Sequence, residues 1–120
     1  MNELTDRRRS PRVPCNLSVE YKLRGGRIRE GRLMNIGIGG IILTMHVAPP
    51  PVGADLLFRF HLPRSPRPVQ AVGSVRWAAP GRAGVEFTRL SSQEQDEIRA
   101  YCETKLPQQR KSDASEQPPG

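Results

Sequence analysis

The chain has 120 residues, a formal net charge of +7 and a pI of about 10.4, and 36% of its residues are hydrophobic. This length fits one domain, the low hydrophobic share predicts that part of the chain is not packed, and the charge points to an anionic partner. The sequence contains no apolar run near the roughly 18 residues of a membrane span and no signal peptide, so we expect a soluble, cytoplasmic protein.

Arginine supplies most of the positive charge, and its densest group comes before the first apolar segment. The chain has 16 Arg and 3 Lys, and "RRRSPR" places Arg7, Arg8, Arg9 and Arg12 within six residues. Prolines in and just after this group disfavour a helix, so residues 1–12 are predicted to form a flexible, extended arm. A solvated basic tail is the alternative interpretation of the same residues.

Six segments of alternating hydrophobicity follow the arm, and each is bounded by glycine or proline. Alternation with a period of two indicates half-buried strands. The predicted strands are 13–23, about 28–36, 41–45, a fourth with Leu56, Phe58, Phe60 and Leu62 inward, 69–79 and 83–89.

The period changes to that of a helix after the sixth strand. "SSQE", residues 91–94, is typical of a capping box, and Ile98, Tyr101, Cys102 and Leu106 then share one helical face. Pro107 is predicted to end the helix, and residues 107–120 are predicted to be a disordered tail. The sequence therefore predicts an all-β fold, a small six-stranded antiparallel β-barrel with a C-terminal α-helix over residues 13–106.

The sequence contains no signature of an enzyme, a metal site or a bound cofactor. Cys15 and Cys102 are far apart and lie on predicted apolar faces, which favours free thiols over a disulfide or a metal pair. His46 and His61 have no ligand at metal-binding spacing. The glycine-rich "NIGIGG" lacks the Lys-Ser/Thr ending of a P-loop and the helix of a dinucleotide fold.

Two features remain, and together they predict a site for a small anion that carries rings. The first is the arginine arm, whose guanidinium forks suit phosphates and guanine edges. The second is "NIGIGG", where Asn35 supplies an amide and glycines, among them Gly37 and Gly40, permit close backbone approach to a ligand.

This pair of features resembles the two motifs of the PilZ domain family, whose members bind cyclic di-GMP. The RRxxxR motif matches Arg7, Arg8 and Arg12, with Arg9 as an additional basic residue. The (D/N)xSxxG motif matches Asn35 and Gly40, but Gly37 stands where the family has serine. The resemblance extends over about residues 6–106, including the strand pattern and the final helix.

The resemblance implies a non-enzymatic cyclic di-GMP receptor in which the arm orders over the ligand and acts on a protein partner. Because Arg7 precedes the RxxxR motif, the family tendency implies a stacked pair of ligands per chain. Arg76 is a further candidate ligand residue. Trp77 alternates with Val75 and Ala79, which favours a core position over stacking on the ligand.

Two alternatives remain open. The missing serine at Gly37 is compatible with a degenerate adaptor that does not bind the nucleotide. A small basic barrel that binds RNA or DNA is the other alternative, although the aromatic content of 5% leaves few stacking platforms.

Overall fold

The structure is a computed structural model that describes the backbone of residues 12–116 and the side chains of residues 12–105. Six antiparallel strands precede one long helix, which confirms the predicted fold class. The elements are β1 (Arg12–Leu23), β2 (Arg29–Gly37), β3 (Gly40–Thr44), β4 (Asp55–Phe60), β5 (Val69–Ala79), β6 (Arg82–Arg89) and α1 (Ser92–Glu116).

The strands close into a barrel in the order β1-β2-β3-β6-β5-β4. β1 pairs with both β2 and β4, so closure leaves no strand edge of the barrel unpaired. The inward residues form one core cluster, in which the ring of Phe58 lies 5.6 Å from that of Phe87 between their centroids. Burial alternates as the sequence pattern predicts along most of β1, along β4 and along β5 up to Val75.

A β-bulge in β5 changes which side chains face the core. Val75 pairs with Val85 and Trp77 pairs with Gly84, so β5 contains one residue more than β6 over this interval. Val75 is fully buried, whereas Arg76 and Trp77 are both exposed, Trp77 by 39%. The prediction of a core position for Trp77 is therefore wrong, because strict alternation fails at the extra residue.

The N-terminus of α1 has the predicted capping box. The backbone N–H of Glu94 donates to Ser91 Oγ at 3.1 Å, and Glu94 Oε1 accepts from the Ser91 N–H at 3.4 Å. The other carboxylate oxygen of Glu94 accepts from the Gln70 N–H at 2.9 Å, which fixes the helix start to β5.

The helix packs its apolar face on the barrel and extends further than predicted. Ile98 and Cys102 are fully buried in the core cluster, and Tyr101 is partly buried against it. The backbone remains helical past Pro107 to Glu116, so the prediction that Pro107 ends the helix is wrong. Proline removes one N–H donor but its φ is compatible with a helix, so the residue weakens a helix without always ending it.

Both cysteines are free thiols near the junction of β1, β2 and α1. Cys102 is buried and donates to the Ile36 carbonyl at 3.6 Å, whereas Cys15 is half-buried and donates to the Leu33 carbonyl at 3.3 Å. Burial raises the pKa of each thiol to about 11, so both are protonated at neutral pH.

The division into an arm (1–12), a barrel with its helix (13–106) and a tail (107–120) stays a prediction. The structure starts to describe the chain at Arg12, which is the first residue of β1. Over the part of the chain that is described, no helix is long and apolar enough to cross a membrane.

Candidate ligand site

The barrel places the end of the arginine arm beside the glycine-rich segment. Arg12, the first residue of β1, is exposed and pairs with Gly37, the last residue of β2. Residues directly opposite in an antiparallel pair lie on the same face of a sheet, so Arg12 and Gly37 share the outer face. Arg7, Arg8 and Arg9 lie outside the described residues.

A row of paired residues extends this outer face across five strands. Asn35 of β2 pairs with Pro14 on one side and with Ile42 on the other. Ile42 pairs with Gly84, and Gly84 pairs with Trp77. Neighbouring strands lie about 4.8 Å apart, so the α-carbons of Asn35 and Trp77 are separated by three such steps along the curved surface.

A second β-bulge turns Asn35 outward. Leu33 pairs with Leu43 and Asn35 pairs with Ile42, so β2 has one residue more than β3 over this interval. Leu33 and Ile36 face the core, while Met34 and Asn35 lie between them on the outside. Asn35 Oδ1 is buried and has no hydrogen-bond partner among the described residues, so a ligand reaches this acceptor only after a small side-chain movement.

The indole of Trp77 lies against Gly84 of β6, and the lack of a side chain on Gly84 leaves room for the ring. A Cβ on Gly84 would overlap the indole ring. The guanidinium of Arg82 lies 5.9 Å from the indole centroid, within the range of a cation–π interaction. The sequence analysis did not select Gly84, although a glycine inside a strand pattern is a signal of close approach by another group.

The glycines of "NIGIGG" have different surroundings. A Cβ on Gly40 would overlap the Val85 carbonyl oxygen, so Gly40 is required by the close approach of β3 to β6. A Cβ on Gly39 would meet nothing within 4 Å. Positive φ values among the described glycines occur at Gly25, Gly53 and Gly81, and therefore not within this segment.

Arg76 pairs with a carboxylate at the border of the same surface. Its Nε lies 2.8 Å from Glu86 Oε1, and Glu86 pairs with Gly40 across β3 and β6. Both side chains are more than half exposed, so the ion pair contributes little to stability and can exchange for a ligand anion. The predicted residues Arg12, Asn35, Arg76 and Trp77 thus lie on the outer side of neighbouring strands, whereas Gly37 and Gly40 are buried beneath this surface.

A separate recess of about 660 Å³ lies over β1, β2 and β4 and contains both histidines. Arg59 pairs with Glu20 there at 2.8 Å, and Arg32 donates to Asn16 Oδ1 at 2.7 Å. Arg59, Glu20 and Arg32 therefore already have hydrogen-bonding partners within the protein. The recess contains none of the predicted site residues. In the described chain, no three His, Cys, Asp or Glu side chains are grouped as metal ligands.

The sequence profile of the PilZ domain matches residues 6–104. The chain therefore belongs to the PilZ domain family. A comparison with curated proteins finds no match.

Solved structures with the same fold include three PilZ proteins of low sequence identity. Bacillus subtilis inhibitor of motility MotI/DgrA matches with a TM-score of 0.75 and 19% identity over 84% of this chain and 52% of that chain. The PilZ domain of YcgR from Escherichia coli, solved with c-di-GMP, matches with a TM-score of 0.68 and 14% identity over 91% of this chain and 98% of that chain. PlzA of Borreliella burgdorferi, solved in complex with c-di-GMP, matches with a TM-score of 0.62 and 14% identity over 83% of this chain and 45% of that chain. The chain spans about half the length of MotI/DgrA and of PlzA.

Gly84→Ala tests the placement of Trp77, the single tryptophan of the chain. The added methyl group overlaps the indole, so the ring must move away from β6 into solvent. We expect a red-shifted emission maximum and roughly twofold stronger iodide quenching, since an indole of intermediate exposure becomes fully accessible. Gly39→Ala, where a Cβ has open space, is the matched control and should leave both measurements unchanged. Identical spectra for the wild type and Gly84→Ala would contradict this placement.

Proposed function

We propose that this chain is a cyclic di-GMP receptor without enzymatic activity that transmits the level of the nucleotide to a protein partner. The observation that carries the proposal is the outer surface on which Arg12, Asn35, Gly37 and Trp77 come together through the registers of five strands. The complexes of YcgR and PlzA with c-di-GMP support the choice of ligand.

The chemistry of the surface suits a ligand with two phosphates and two guanines. Arginine forks of the arm bind phosphate or the O6/N7 edge of guanine in bidentate fashion. The exposed indole of Trp77 offers a face on which a purine stacks, with a contribution of about 1–3 kcal/mol. The unpartnered Asn35 Oδ1 accepts from the amino and imino groups of a guanine edge.

The arm provides the mechanism of response. Arg12 is held in β1 by its pairing with Gly37 of β2. Arg7, Arg8 and Arg9 lie three to five residues before Arg12 in the sequence. Ordering of residues 7–9 over a bound nucleotide costs conformational entropy, which the charge-assisted contacts offset. The ordered arm and ligand then form a surface that a protein partner recognises.

Calorimetric titration of the full chain with cyclic di-GMP tests the proposal. We expect saturable binding of two cyclic di-GMP molecules per chain, because the extra guanidinium charge of Arg7 stabilises the four phosphates of a stacked pair. One cyclic di-GMP molecule per chain at saturation would contradict the stacked pair. No heat of binding at millimolar ligand would contradict the receptor function and favour the adaptor alternative, which the missing serine at Gly37 suggests.

A titration with single-stranded RNA at two salt concentrations tests the alternative of a basic barrel that binds nucleic acid. Binding of a polyanion would depend steeply on the salt concentration.

Arg8→Ala and Arg12→Ala should each weaken cyclic di-GMP binding about tenfold or more. A charge-assisted contact contributes roughly 1.5–3 kcal/mol, and both residues precede the apolar pattern of the sequence. Melting temperatures without ligand should barely change. Arg67→Ala, an exposed arginine in the loop between β4 and β5, is the matched control and should retain wild-type affinity. Undiminished affinity in both arm variants would exclude this surface as the site.

Gly37→Ser should tighten cyclic di-GMP binding by about tenfold. The serine hydroxyl of the family motif adds one hydrogen bond of about 0.5–1.5 kcal/mol, and loss of glycine's freedom lowers the ordering cost by about 0.5–1 kcal/mol. Gly37 has no positive φ, so its backbone accepts a serine. Gly39→Ser places the same side chain two residues further on, in open space, and should not change the affinity. Equal or weaker binding by Gly37→Ser with an unchanged melting temperature would contradict the alignment of the second motif.

A further inference from the structure

The barrel end that carries the β1–β2 hairpin and the β3–β4 loop has a recess outside the candidate ligand site. The recess has a volume of about 250 Å³ and lies between the end of β1, the start of β2 and the proline-rich loop of residues 47–51. This volume is below that of most small-molecule pockets and fits one amino-acid side chain. Along β2, its lining residue Arg29 is six residues from Asn35, which corresponds to about 20 Å of extended strand.

Tyr21 lines this recess and has an unused hydrogen-bonding group. The side chain is 4% exposed, and its hydroxyl has no partner among the described residues. A buried hydroxyl without a partner costs free energy, and such groups are rare in folded proteins. Burial raises the pKa of the Tyr21 hydroxyl, and the positive charge of Arg29, which also lines the recess, opposes this shift.

The rim of the recess combines positive charge with exposed apolar side chains. Arg27 and Arg29 line the recess, and Glu30 is the single carboxylate between residues 21 and 54 of the sequence. Leu23 and Val47 also line the recess, with 40% and 43% exposure. Apolar side chains of this size gathered around one concavity are typical of a protein interaction site.

We propose that this recess, formed by Tyr21, Leu23, Arg27, Arg29 and residues 47–51, binds an acidic segment of a partner protein. A carboxylate of the segment enters the recess and pairs with Arg27 and Arg29, and it accepts a hydrogen bond from the Tyr21 hydroxyl. An adjacent apolar side chain of the segment covers Leu23 and Val47. The hydroxyl is not solvent-accessible in the free chain, so this contact requires a small side-chain movement at the rim.

The chemistry of the surface favours a protein segment over a membrane. The apolar side chains surround a concave recess, whereas insertion into lipid requires apolar side chains that protrude together. The end also lacks exposed aromatic side chains among the described residues, and both cations that line the recess are arginines, whose forks match carboxylates in bidentate fashion. The inference rests on the proposed action on a protein partner, but it and the receptor function can fail separately because the nucleotide titration does not involve this end of the barrel.

The test is selection of peptides that bind the full chain from a display library of random 12-residue peptides. We expect the enriched peptides to share one large apolar residue and at least two Asp or Glu residues. A synthetic peptide of the consensus should bind Arg27→Glu/Arg29→Glu at least tenfold more weakly than the wild type. The control pair Arg64→Glu/Arg67→Glu has the same change in net charge in the β4–β5 loop and should lose less than twofold.

Tyr21→Phe separates a binding role from a structural one. The ring and its packing are retained, and the lost hydroxyl has no partner in the free chain, so the melting temperature should not fall. The affinity for the consensus peptide should fall about tenfold or more, the effect of one hydrogen bond to a charged group. Absence of an acidic, apolar consensus would overturn the proposal, as would equal losses in the two charge-reversal pairs or full affinity in Tyr21→Phe. Binding to vesicles of phosphatidylglycerol and phosphatidylcholine that is lost in Arg27→Glu/Arg29→Glu, without peptide enrichment, would instead assign the surface to a membrane.

Discussion

The β-bulge between Val75 and Trp77 is the constraint on which the candidate ligand surface depends. In a closed barrel, the face on which a side chain lies follows from its position along the strand, and one extra residue reverses the face of every residue after it. The bulge places the indole outside the core, where the absence of a side chain at Gly84 leaves room for it. The bulge at Met34 in β2 likewise turns Asn35 away from the core. One bulge in each of two strands thus directs the Asn35 and Trp77 side chains to the outside of the barrel.

Positive charge is concentrated on the barrel, and the helix begins with acidic residues. Glu94, Asp96 and Glu97 lie in the first turns of α1, where carboxylates interact favourably with the helix dipole. On the barrel, Arg12 belongs to the candidate ligand surface, and Arg27 and Arg29 belong to the recess at the hairpin end. β1 connects the two regions, since it begins with Arg12 and ends beside Tyr21 and Leu23. β1 pairs with β2 from Arg12 to Tyr21 and with β4 from Val19 to Leu23, so strand pairing connects the two regions.

Most strands and the start of the helix were predictable because their signals are local. Alternation of apolar residues follows directly from the pleat of a half-buried strand, and the Ser91–Glu94 box satisfies backbone groups that every helix start exposes. The error at Trp77 occurred where a local rule meets a tertiary constraint, because the bulge interrupts the alternating pattern that Trp77 continues. The error at Pro107 came from treating a helix-breaking propensity as a fixed rule, since the backbone of α1 passes through this residue.

The sequence by itself determined the class of fold, the order of its elements and the two motifs, because these depend on periodicity, turn residues and the identity of side chains along the chain. Only the tertiary structure decided which motif residues lie together. The pairing of Arg12 with Gly37, and the row from Asn35 through Gly84 to Trp77, follow from strand register and barrel closure. The recess with the unpartnered Tyr21 hydroxyl likewise forms between segments about 25 residues apart. Register and closure are set by the summed packing of all six strands, and no single stretch of sequence contains that information.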